Sequence, residues 1–511
     1  MKSLLMMFLL FTTQLAMGLT FVVNDNSDDL GDPAPADGVC EMTLGSGNCT
    51  LRAAIDSANE TPGGPHVVEV PYVPGQSYPV WDANGIDAYV EMTIRGTGSA
   101  KAVVESGLFA DGGMIRIGES LTVENLEFRP NTTSGNYTSA LYVNSPNQVT
   151  IKDVLIKPGP DGNNIGMYVF GGVVTCNRCE IKDGQSLGIR IANNGQLNLL
   201  NSRISNNNNP SSNQGGAVFL DSGDLLIRDS LIDNNTATGF APAFGQGGAV
   251  YTSENTFLHI VNSTLSGNKA FNDGGGIFAQ SAVRLENATI TANTADFNDD
   301  GVGQGGGLYI NDLTVVTAKN SIIHGNYLPC PAGVPLCFPA GRNCDDTQSG
   351  TIGIESLGWV MVGDDGNCPL TNLTGEANYT SSVLPQLGPL TLLGGLHPVH
   401  PINDVGAEAD GGDPNGCTFQ LDTGSALVDF PLLTDQRGMQ RPLESDPDFN
   451  LNTCDIGAYE ASCFGDDPDG DYVGSSCDVC PLDFDPLQED SNADGIGDAC
   501  SGDLIFYSGF N

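Results

Sequence analysis

The sequence predicts an all-β fold, a right-handed parallel β-helix, from three columns of residues that repeat between Leu121 and Asn326. The first column is an Asn or Asp that recurs every 23 to 33 residues, with a large apolar residue three positions later. The second is an Asn six residues after the first, and the third is Gln or Asp followed by two glycines, a small, an apolar and an aromatic residue. A spacing in this range is typical of stacked repeats. The first column is Asn125, Asp153, Arg178 (standing in for Asn or Asp), Asn201, Asp229, Asn262, Asn287 and Asn320; its apolar followers are Phe128, Ile156, Ile204, Ile232, Leu265, Ile290 and Ile323; the second column is Asn131, Asn207, Asn235, Asn268, Asn293 and Asn326; the third begins at Gln214, Gln246, Asp273 and Gln304.

The short β-type runs in each repeat are expected to pair with the same run one repeat later. Hairpins are disfavoured because the corners are not two-residue Asn-Gly turns. Parallel, in-register pairing places Ile, Val and Leu inside and puts both Asn columns at corners, where Asn tolerates left-handed backbone. Stacked Asn amides can also hydrogen-bond along the ladder. An antiparallel sandwich does not explain three columns that stay in phase, so the coil is predicted over residues 66–328, with less regular rungs before Leu121.

The start of the chain and its composition predict export. Residues 1–18 are typical of a secretion signal, with Lys2, an apolar core from Leu4 to Leu15 and a small-residue cleavage site ending at Gly18. No later run is long and apolar enough for a membrane helix. The 62 acidic and 19 basic residues give a net charge of −43, which argues against binding nucleic acid or anionic lipid and favours cations. Fourteen cysteines suit disulfides in an oxidising compartment, so the protein is expected to be secreted or on the outer cell surface.

Residues 19–65 are predicted to form an N-terminal cap. Cys40 and Cys49 are close enough to close a small loop, and Thr50 is a good N-cap for an amphipathic helix that begins at Leu51. The segment from Cys49 to Ala54 resembles the Cys-Ser-Leu-Arg-Glu-Ala segment that opens many secreted bacterial β-helix proteins, although Thr50 replaces Ser and Ala53 replaces Glu. The resemblance implies a cap without a catalytic role.

Twelve further cysteines lie in or after the coil. Cys176 and Cys179 form a CxxC without the helix that a redox pair normally uses or the further ligands that zinc needs. A structural bridge and two half-buried thiols remain as interpretations. Residues 329–460 are predicted to hold a disulfide-tied insertion and the final rungs, and sequence cannot choose among the three pairings of four cysteines. These four are Cys330, Cys337, Cys344 and Cys368.

The end of this region contains a group of five charged residues. They can be interpreted as an acid/base cluster or as a buried ion-pair network that closes the last rung. The segment resembles the choice-of-anchor domain that ends many secreted bacterial β-helices, and because that family gives these residues no chemistry, the structural interpretation is favoured. Cys417 and Cys454 are its natural bridge. The charged residues are Asp435, Arg437, Arg441, Asp455 and Glu460.

Residues 461–502 are predicted to bind Ca²⁺. Oxygen-bearing side chains at alternate positions, followed by Gly, are what a hard cation needs, and without the ion such crowded carboxylates would be disordered. The pattern from Asp467 to Cys500 resembles thrombospondin type 3 repeats, although Tyr472 and Ser475 depart from it. An EF-hand is disfavoured because flanking helices and a Glu at the twelfth position are missing. The resemblance implies Ca²⁺ ligands at Asp467, Asp469, Asp471, Asp478, Asp490, Asn492, Asp494 and Asp498, and bridges Cys463–Cys477 and Cys480–Cys500. The tail, residues 503–511, is similar to an Ile-Phe-x-x-Gly-Phe-Glu tail of secreted gammaproteobacterial proteins and is read as a sorting address or a frayed terminus.

The function expected is a non-catalytic rod that binds glycans or cell-surface proteins; the alternative is a secreted polysaccharide lyase or hydrolase. A lyase needs a basic residue beside carboxylates that hold Ca²⁺, and none of the outward basic residues stands in such a local cluster. His259 and His324 are expected to be packed or solvated rather than catalytic, and the small number of basic residues argues against gripping a polyanion. The sequence indicates no oligomeric state. The outward basic residues are Lys152, Arg190, Arg203, Arg228 and Arg284.

Overall fold

The computed structural model describes most of the chain between residues 18 and 500. The described ranges are 18–28, 31–81, 85–106, 112–130, 138–160, 164–210, 214–239, 245–311, 314–329, 343–346, 353–363, 368–379, 384–402, 406–422, 426–441, 453–461, 468–469, 478–485 and 496–500. The predicted signal core, the C-terminal tail, Asn131, Cys330, Cys337, Cys463 and Cys477 lie outside these ranges.

Within these ranges, parallel strands wind into a coil with three long sheets, and the all-β, right-handed parallel β-helix prediction is confirmed. Sheet A is Thr20–Val22, His66–Pro71, Met92–Thr97, Leu121–Glu124, Gln148–Lys152, Val173–Asn177, Gly195–Leu200, Gly223–Arg228, Thr256–Val261, Ala282–Glu286, Val316–Lys319, Ile354–Ser356 and Leu370–Asn372. Sheet B is Ser77–Val80, Ala102–Ser106, Leu126–Arg129, Leu155–Ile156, Glu180–Lys182, Arg203–Ser205, Leu231–Asp233, Thr264–Ser266, Thr289–Thr291, Ile322–Ile323 and Met361–Val362. Sheet C is Ile86–Ala88, Gly112–Ile117, Thr138–Val143, Ile165–Phe170, Leu187–Ala192, Val218–Leu220, Val250–Thr252, Ile277–Ala279, Leu308–Ile310 and Cys344–Asp346. Short strands Asn208–Asn209, Thr236–Ala237 and Lys269–Ala270 form a small sheet, and Thr418–Asp422 pairs with Leu427–Pro431 as an antiparallel hairpin.

The core of the coil follows from exact repetition of apolar residues one rung apart. In sheet B, Phe128 lies opposite Ile156, and Ile232 lies opposite Leu265. All seven apolar followers of the first column are completely buried. Because parallel strands in register stack like on like, each side chain fills the space above its counterpart, and burial of these columns is the main stabilising contribution.

The two Asn columns have different roles at the corners of the coil. Every residue of the first column has a left-handed backbone, with φ between 47° and 55°, so Asn or Asp there relieves backbone strain. The second column was also predicted at left-handed corners, and this is wrong. Positive φ falls one residue earlier, for example at Asn206 and Asn234, and the second-column amides point inward as a buried ladder.

That buried ladder extends one rung further than predicted. Its Nδ2 groups donate to the Oδ1 of the next Asn at 2.9 to 3.2 Å, and its last member is Asn343, which the sequence analysis missed. Each amide also donates to a main-chain carbonyl, as Asn268 does to Ile232. The ladder therefore satisfies polar groups that would otherwise be buried without partners.

The N-terminal cap has the predicted helix and one additional element. Helix α1 spans Leu51–Glu60, and its first turn is capped by Thr50, whose Oγ1 accepts the Ala53 N–H at 3.1 Å. Its buried face, including Leu51 and Ile55, joins the main core. Thr20–Val22 pairs with Val67–Glu69, so the segment also supplies the first strand of sheet A, which was not predicted. Together these elements cover the open first rung.

Residues 329–460 were predicted to hold a disulfide-tied insertion and the final rungs. Strands of all three sheets continue past residue 328 to Asn372, so rungs are present in the first part of this stretch. The described residues between 384 and 461 (384–402, 406–422, 426–441 and 453–461) are here called the flank segment, and they do not close the last rung. They turn back along the side of the coil, where Asn262 Nδ2 donates to the Thr434 carbonyl at 3.1 Å and Asn320 Nδ2 donates to the Asp455 carbonyl at 2.7 Å.

Disulfide bonds were predicted and are present. Two of them join residues for which the sequence left alternatives open, Cys176 with Cys179 and Cys344 with Cys368. The other bonds in the described ranges are Cys40–Cys49, Cys417–Cys454 and Cys480–Cys500. None of the helices in the described part of the chain has the length and apolarity that a membrane crossing requires.

Candidate ligand-binding surface

The charge of the chain is distributed unevenly along the coil. Residues 101–203 contain nine Lys and Arg and nine Asp and Glu, so this stretch is neutral while the remainder carries the whole net charge of −43. Anionic ligands are repelled by a strongly acidic surface. The early rungs are therefore the part of the rod where such ligands meet least repulsion.

A column of aromatic residues and arginines runs along the outer face of sheet C. Each member lies directly opposite the next in the parallel register, so neighbours are spaced by about 4.8 Å, the distance between strands. This sheet C column consists of Arg116, Tyr142, Tyr168, Arg190, Phe219, Tyr251, Phe278 and Tyr309. The last four residues are the aromatic positions of the third repeated column in the sequence. Arg116 follows Asp111-Gly112-Gly113 at the same spacing but is not aromatic, and the pair of glycines is absent before Tyr142, Tyr168 and Arg190.

Arg190 is held between two rings in the accessible half of this column. Its guanidinium carbon lies 5.4 Å from the centre of Tyr168 and 5.2 Å from the centre of Phe219, a cation–π arrangement on both sides. Asp221 fixes the outer edge of the guanidinium through a 2.7 Å bond to Nη2. Tyr142 packs edge to face against Tyr168 at 5.3 Å. These side chains are partly exposed and rigidly held, which lowers the entropy cost of binding a ligand.

The later half of the column is structural. Tyr251, Phe278 and Tyr309 stack at 4.9 Å between ring centres and are 3 to 8% exposed. Burial raises the pKa of Tyr251 to about 12, and its hydroxyl donates to Gln280 at 2.9 Å. Only the stretch from Arg116 to Phe219 is therefore open to a ligand.

A groove of about 380 Å³ lies at the N-terminal end of the column. Tyr89 and Tyr142 line it together with Arg116, Asp87 and Asn144. Arg116 and Asp87 form a 2.6 Å ion pair there, and Tyr89 is 48% exposed. Aromatic walls with a few fixed polar groups are typical of small-molecule and sugar sites.

A second groove, of about 480 Å³, lies on sheet B and is here called the Lys101 groove. Lys101, Glu105, Glu127 and Arg129 line it. Glu127 accepts bonds from Arg129 Nε at 2.6 Å and Lys157 Nζ at 3.0 Å. Burial raises the pKa of Glu127, but these two cations outweigh burial and the pKa is lowered. Burial of the ammonium group also lowers the pKa of Lys101.

Sequence reasoning missed the Lys101 groove because its members come from three rungs. The signal available was the alternation of Glu127 and Arg129 on one strand, opposite Glu105 in the register. The outward basic residues it did single out are mostly engaged singly by carboxylates, as Arg203 is by Asp233 at 2.8 Å. His259 was predicted to be packed or solvated, and it is packed, since its Nε2 lies 2.7 Å from Glu286 in a buried pair.

The charged cluster of the flank segment is a buried network. Arg441 and Glu460 form a 2.8 Å ion pair with fully buried side chains, and Arg437 bonds Asp435 at 2.7 Å. Burial, and then the charge of Glu460, raise the pKa of Asp455 well above its usual value. Cys417, Cys454 and Glu460 also lie within 4.8 Å of one another, but the two sulfurs are bonded to each other and are not thiolate ligands.

Of the predicted Ca²⁺ ligands, Asp469, Asp478 and Asp498 fall within the described residues and the other five lie outside them. Gly497 N–H donates to the Val479 carbonyl at 3.0 Å beside the Cys480–Cys500 bond. Asp478 and Asp485 are each 8% exposed there, and Asp485 was not predicted. Residues 442–511 contain 17 acidic residues and no Lys, Arg or His. Carboxylate oxygens are the donors that a hard divalent ion such as Ca²⁺ prefers.

Comparison with known proteins agrees with this architecture. Residues 116–289 match the family described as "Right handed beta helix region". The chain is also similar to the "Probable autotransporter YfaL" of Escherichia coli (strain K12), with 30% identity over 189 residues. That similarity covers 33% of this chain and 14% of the Escherichia coli protein, so the chain spans a small part of that relative.

Proposed function

We propose that this protein is a secreted or cell-surface β-helix rod that binds glycans without catalysis and uses Ca²⁺ to order its C-terminal segment. The observation that carries the proposal is the accessible half of the sheet C column, from Arg116 to Phe219. The C–H faces of pyranose rings pack on aromatic side chains, and Arg and Asp hydrogen-bond sugar hydroxyls. The printed description of the Escherichia coli relative as a probable autotransporter supports placement at the cell surface.

The in-register column suits a linear ligand that lies along the coil. One side chain is presented per rung at about 4.8 Å, so a linear ligand can contact several of them in succession. Several weak contacts of this kind add up on one chain because the rod holds them in fixed positions. We also propose that the segments that resemble an N-terminal cap, a choice-of-anchor domain and thrombospondin type 3 repeats are parts of a secreted bacterial surface protein.

A glycan array of the mature protein, with and without Ca²⁺, tests the proposal. We expect retention on a limited set of glycans, and about tenfold weaker binding of the best of them by Tyr168→Ala and Arg190→Met, because stacking and the cation are lost. Arg284→Met is the matched control, since Arg284 also lies over a ring, Phe257, at 5.9 Å, but on sheet A. Retention of no glycan, or equal binding by both column variants and the control, would contradict the proposal.

Calcium is tested separately by titration calorimetry of the full chain. Asp469→Asn and Asp498→Asn are each expected to weaken Ca²⁺ binding by about tenfold or more, because each removes a charged ligand oxygen. EDTA is expected to make residues 462–511 more susceptible to protease. Asp483→Asn is the control, since Asp483 is exposed and not a predicted ligand. Absence of binding heat in the wild type would refute this part of the proposal and leave the glycan surface untouched.

A further inference from the structure

We infer that the Lys101 groove on sheet B is a binding site for a pyranose unit that carries an anionic group, a carboxylate or a sulfate, and that it is separate from the sheet C column. The groove stands on a different face of the coil and shares no lining residue with the groove at Arg116. It goes beyond the proposed glycan surface, because its chemistry is that of ion pairing rather than of stacking.

The groove offers cationic groups that its own carboxylates do not saturate. Arg129 uses Nε for Glu127, and among the described residues its Nη1 and Nη2 groups have no hydrogen-bond partner. Its side chain is 44% exposed, so the guanidinium fork is accessible to a carboxylate or sulfate, for which its geometry is suited. Lys157, 37% exposed, also bonds Glu127, at 3.0 Å, but does not line the groove.

Lys101 supplies a second anchoring cation. Its ammonium donates to the main-chain carbonyl of Asp153 two rungs away, and this bond leaves two of its three N–H groups for other acceptors. Burial disfavours the charged form and lowers its pKa, so an anionic group placed beside it regains the Coulomb energy that burial withholds.

The same groove has acceptors and donors for sugar hydroxyls. Glu105 lies opposite Arg129 in the register and has no ion-pair partner within 4.0 Å among the described residues. Gln76, Ser77 and Tyr72 form the facing wall. A ring with one anionic substituent and several hydroxyls therefore matches the groove better than an isolated inorganic anion, which would leave Glu105 facing it.

Two features of the whole molecule leave this site available. The charged residues of the groove, Lys101, Glu105, Glu127 and Arg129, lie in the neutral stretch 101–203, whereas the rest of the chain carries −43 and repels anions. The flank segment bonds the coil at positions from Asn320 back to Asn201. At Asn201, the His397 Nε2 lies 3.0 Å from the main-chain carbonyl oxygen. The Lys101 groove is on earlier rungs, beyond those bonds.

Titration calorimetry of the full-length mature protein in Ca²⁺ tests the inference. The probes are an oligogalacturonate, a chondroitin sulfate oligosaccharide and a neutral cello-oligosaccharide, which separate carboxylate, sulfate and uncharged ligands. We expect one anionic probe to bind, with affinity that falls as salt rises, and to bind about tenfold or more weakly to Arg129→Met and to Lys101→Met. The cello-oligosaccharide is expected to be insensitive to both substitutions.

Arg95→Met is the matched control, because Arg95 bonds Glu69 on sheet A and is 41% exposed, much like Arg129. It is expected to bind all probes as the wild type does, and all variants should keep the wild-type thermal transition. Failure of both anionic probes to bind the wild type would overturn the inference, as would wild-type affinity in the two groove variants. Neither outcome bears on Tyr168→Ala, so a failed groove and a failed sheet C column are distinguishable.

Discussion

Replacing Arg441 with Met is expected to reduce the free energy that holds the flank segment on the coil by about 3–5 kcal/mol. Arg441 is fully buried and bonds Glu460 at 2.8 Å, Asn262 Oδ1 at 2.9 Å and the carbonyls of Asp455 and Gly457 at 3.0 Å. Met fills similar volume but leaves the Glu460 carboxylate buried without its cation. Hydrogen–deuterium exchange of the full chain should show faster opening of residues 426–441 and 453–461.

The loss in Arg441→Met is expected to be smaller at pH 5 than at pH 8. Asp455 has its pKa raised well above the usual value, first by burial and then by Glu460. The folded state therefore holds a proton that the unfolded chain releases above about pH 4, so stability decreases as pH rises from there toward the raised pKa. Removing the Arg441 cation strengthens this dependence, because protonation is then the remaining way to neutralise the site.

A double-mutant cycle separates the lost ion pair from lost packing. Arg441→Met with Glu460→Met is expected to recover about 1 kcal/mol or more of what Arg441→Met alone loses, because no unpaired buried charge remains. A double variant that loses the full sum of the single variants would show that the pair is not coupled. Unchanged exchange in Arg441→Met would mean that the flank segment is held by its other contacts.

Replacing Asn268 with Ala is expected to destabilise the central rungs by about 2–4 kcal/mol. The Asn268 amide is completely buried. Its Nδ2 donates to the carbonyls of Ile232 and Ser266 and to Asn293 Oδ1, and its Oδ1 accepts the N–H and Nδ2 of Asn235 at 3.0 Å. Ala leaves these groups buried without partners and breaks the ladder in its middle, where each rung depends on its neighbours.

Exchange protection and thermal unfolding measure the effect of Asn268→Ala. The loss of protection should be largest in the strands around Thr264–Ser266 and spread to adjacent rungs. Asn298→Ala is the control, because Asn298 is exposed and, among the described residues, bonds the side chain of Asp300 alone, at 2.7 Å. Equal stability of Asn268→Ala and the control would show that water or relaxation satisfies the ladder.

The repeat pattern of the sequence was sufficient to predict the coil, because each repeat stacks on the next repeat in the chain. The apolar followers, such as Ile232 and Leu265, meet directly in the register, and the first column has the left-handed backbone that Asn and Asp predict. The second column was misplaced because a sequence does not show which of two adjacent residues takes the positive φ. Asn234 takes it, and Asn235 turns inward.

The candidate ligand sites were only partly predictable. The aromatic positions of the third column were visible in the sequence. The contacts of Arg190 with Tyr168 and Phe219 were not, because these residues are neighbours in adjacent rungs and are far apart in the chain. The Lys101 groove combines residues from Tyr72 to Arg129 that no short motif connects. Counting basic residues predicted poor binding of polyanions, whereas their grouping in residues 101–203 removes that objection for the early rungs.

The sequence by itself determined the winding of the chain, because a repeat that recurs in phase can bury its apolar face only against its own next copy. It also determined the cap helix, since Thr50 and the apolar spacing after it act within a single turn. Only the tertiary structure decided where the flank segment lies. Its main-chain carbonyls accept hydrogen bonds from Asn262, Asn287 and Asn320, which lie in one row because the corners of successive rungs are stacked. Side chains far apart in the chain share a face for the same reason, and such a juxtaposition depends on the rise and register of the coil, which no local pattern encodes.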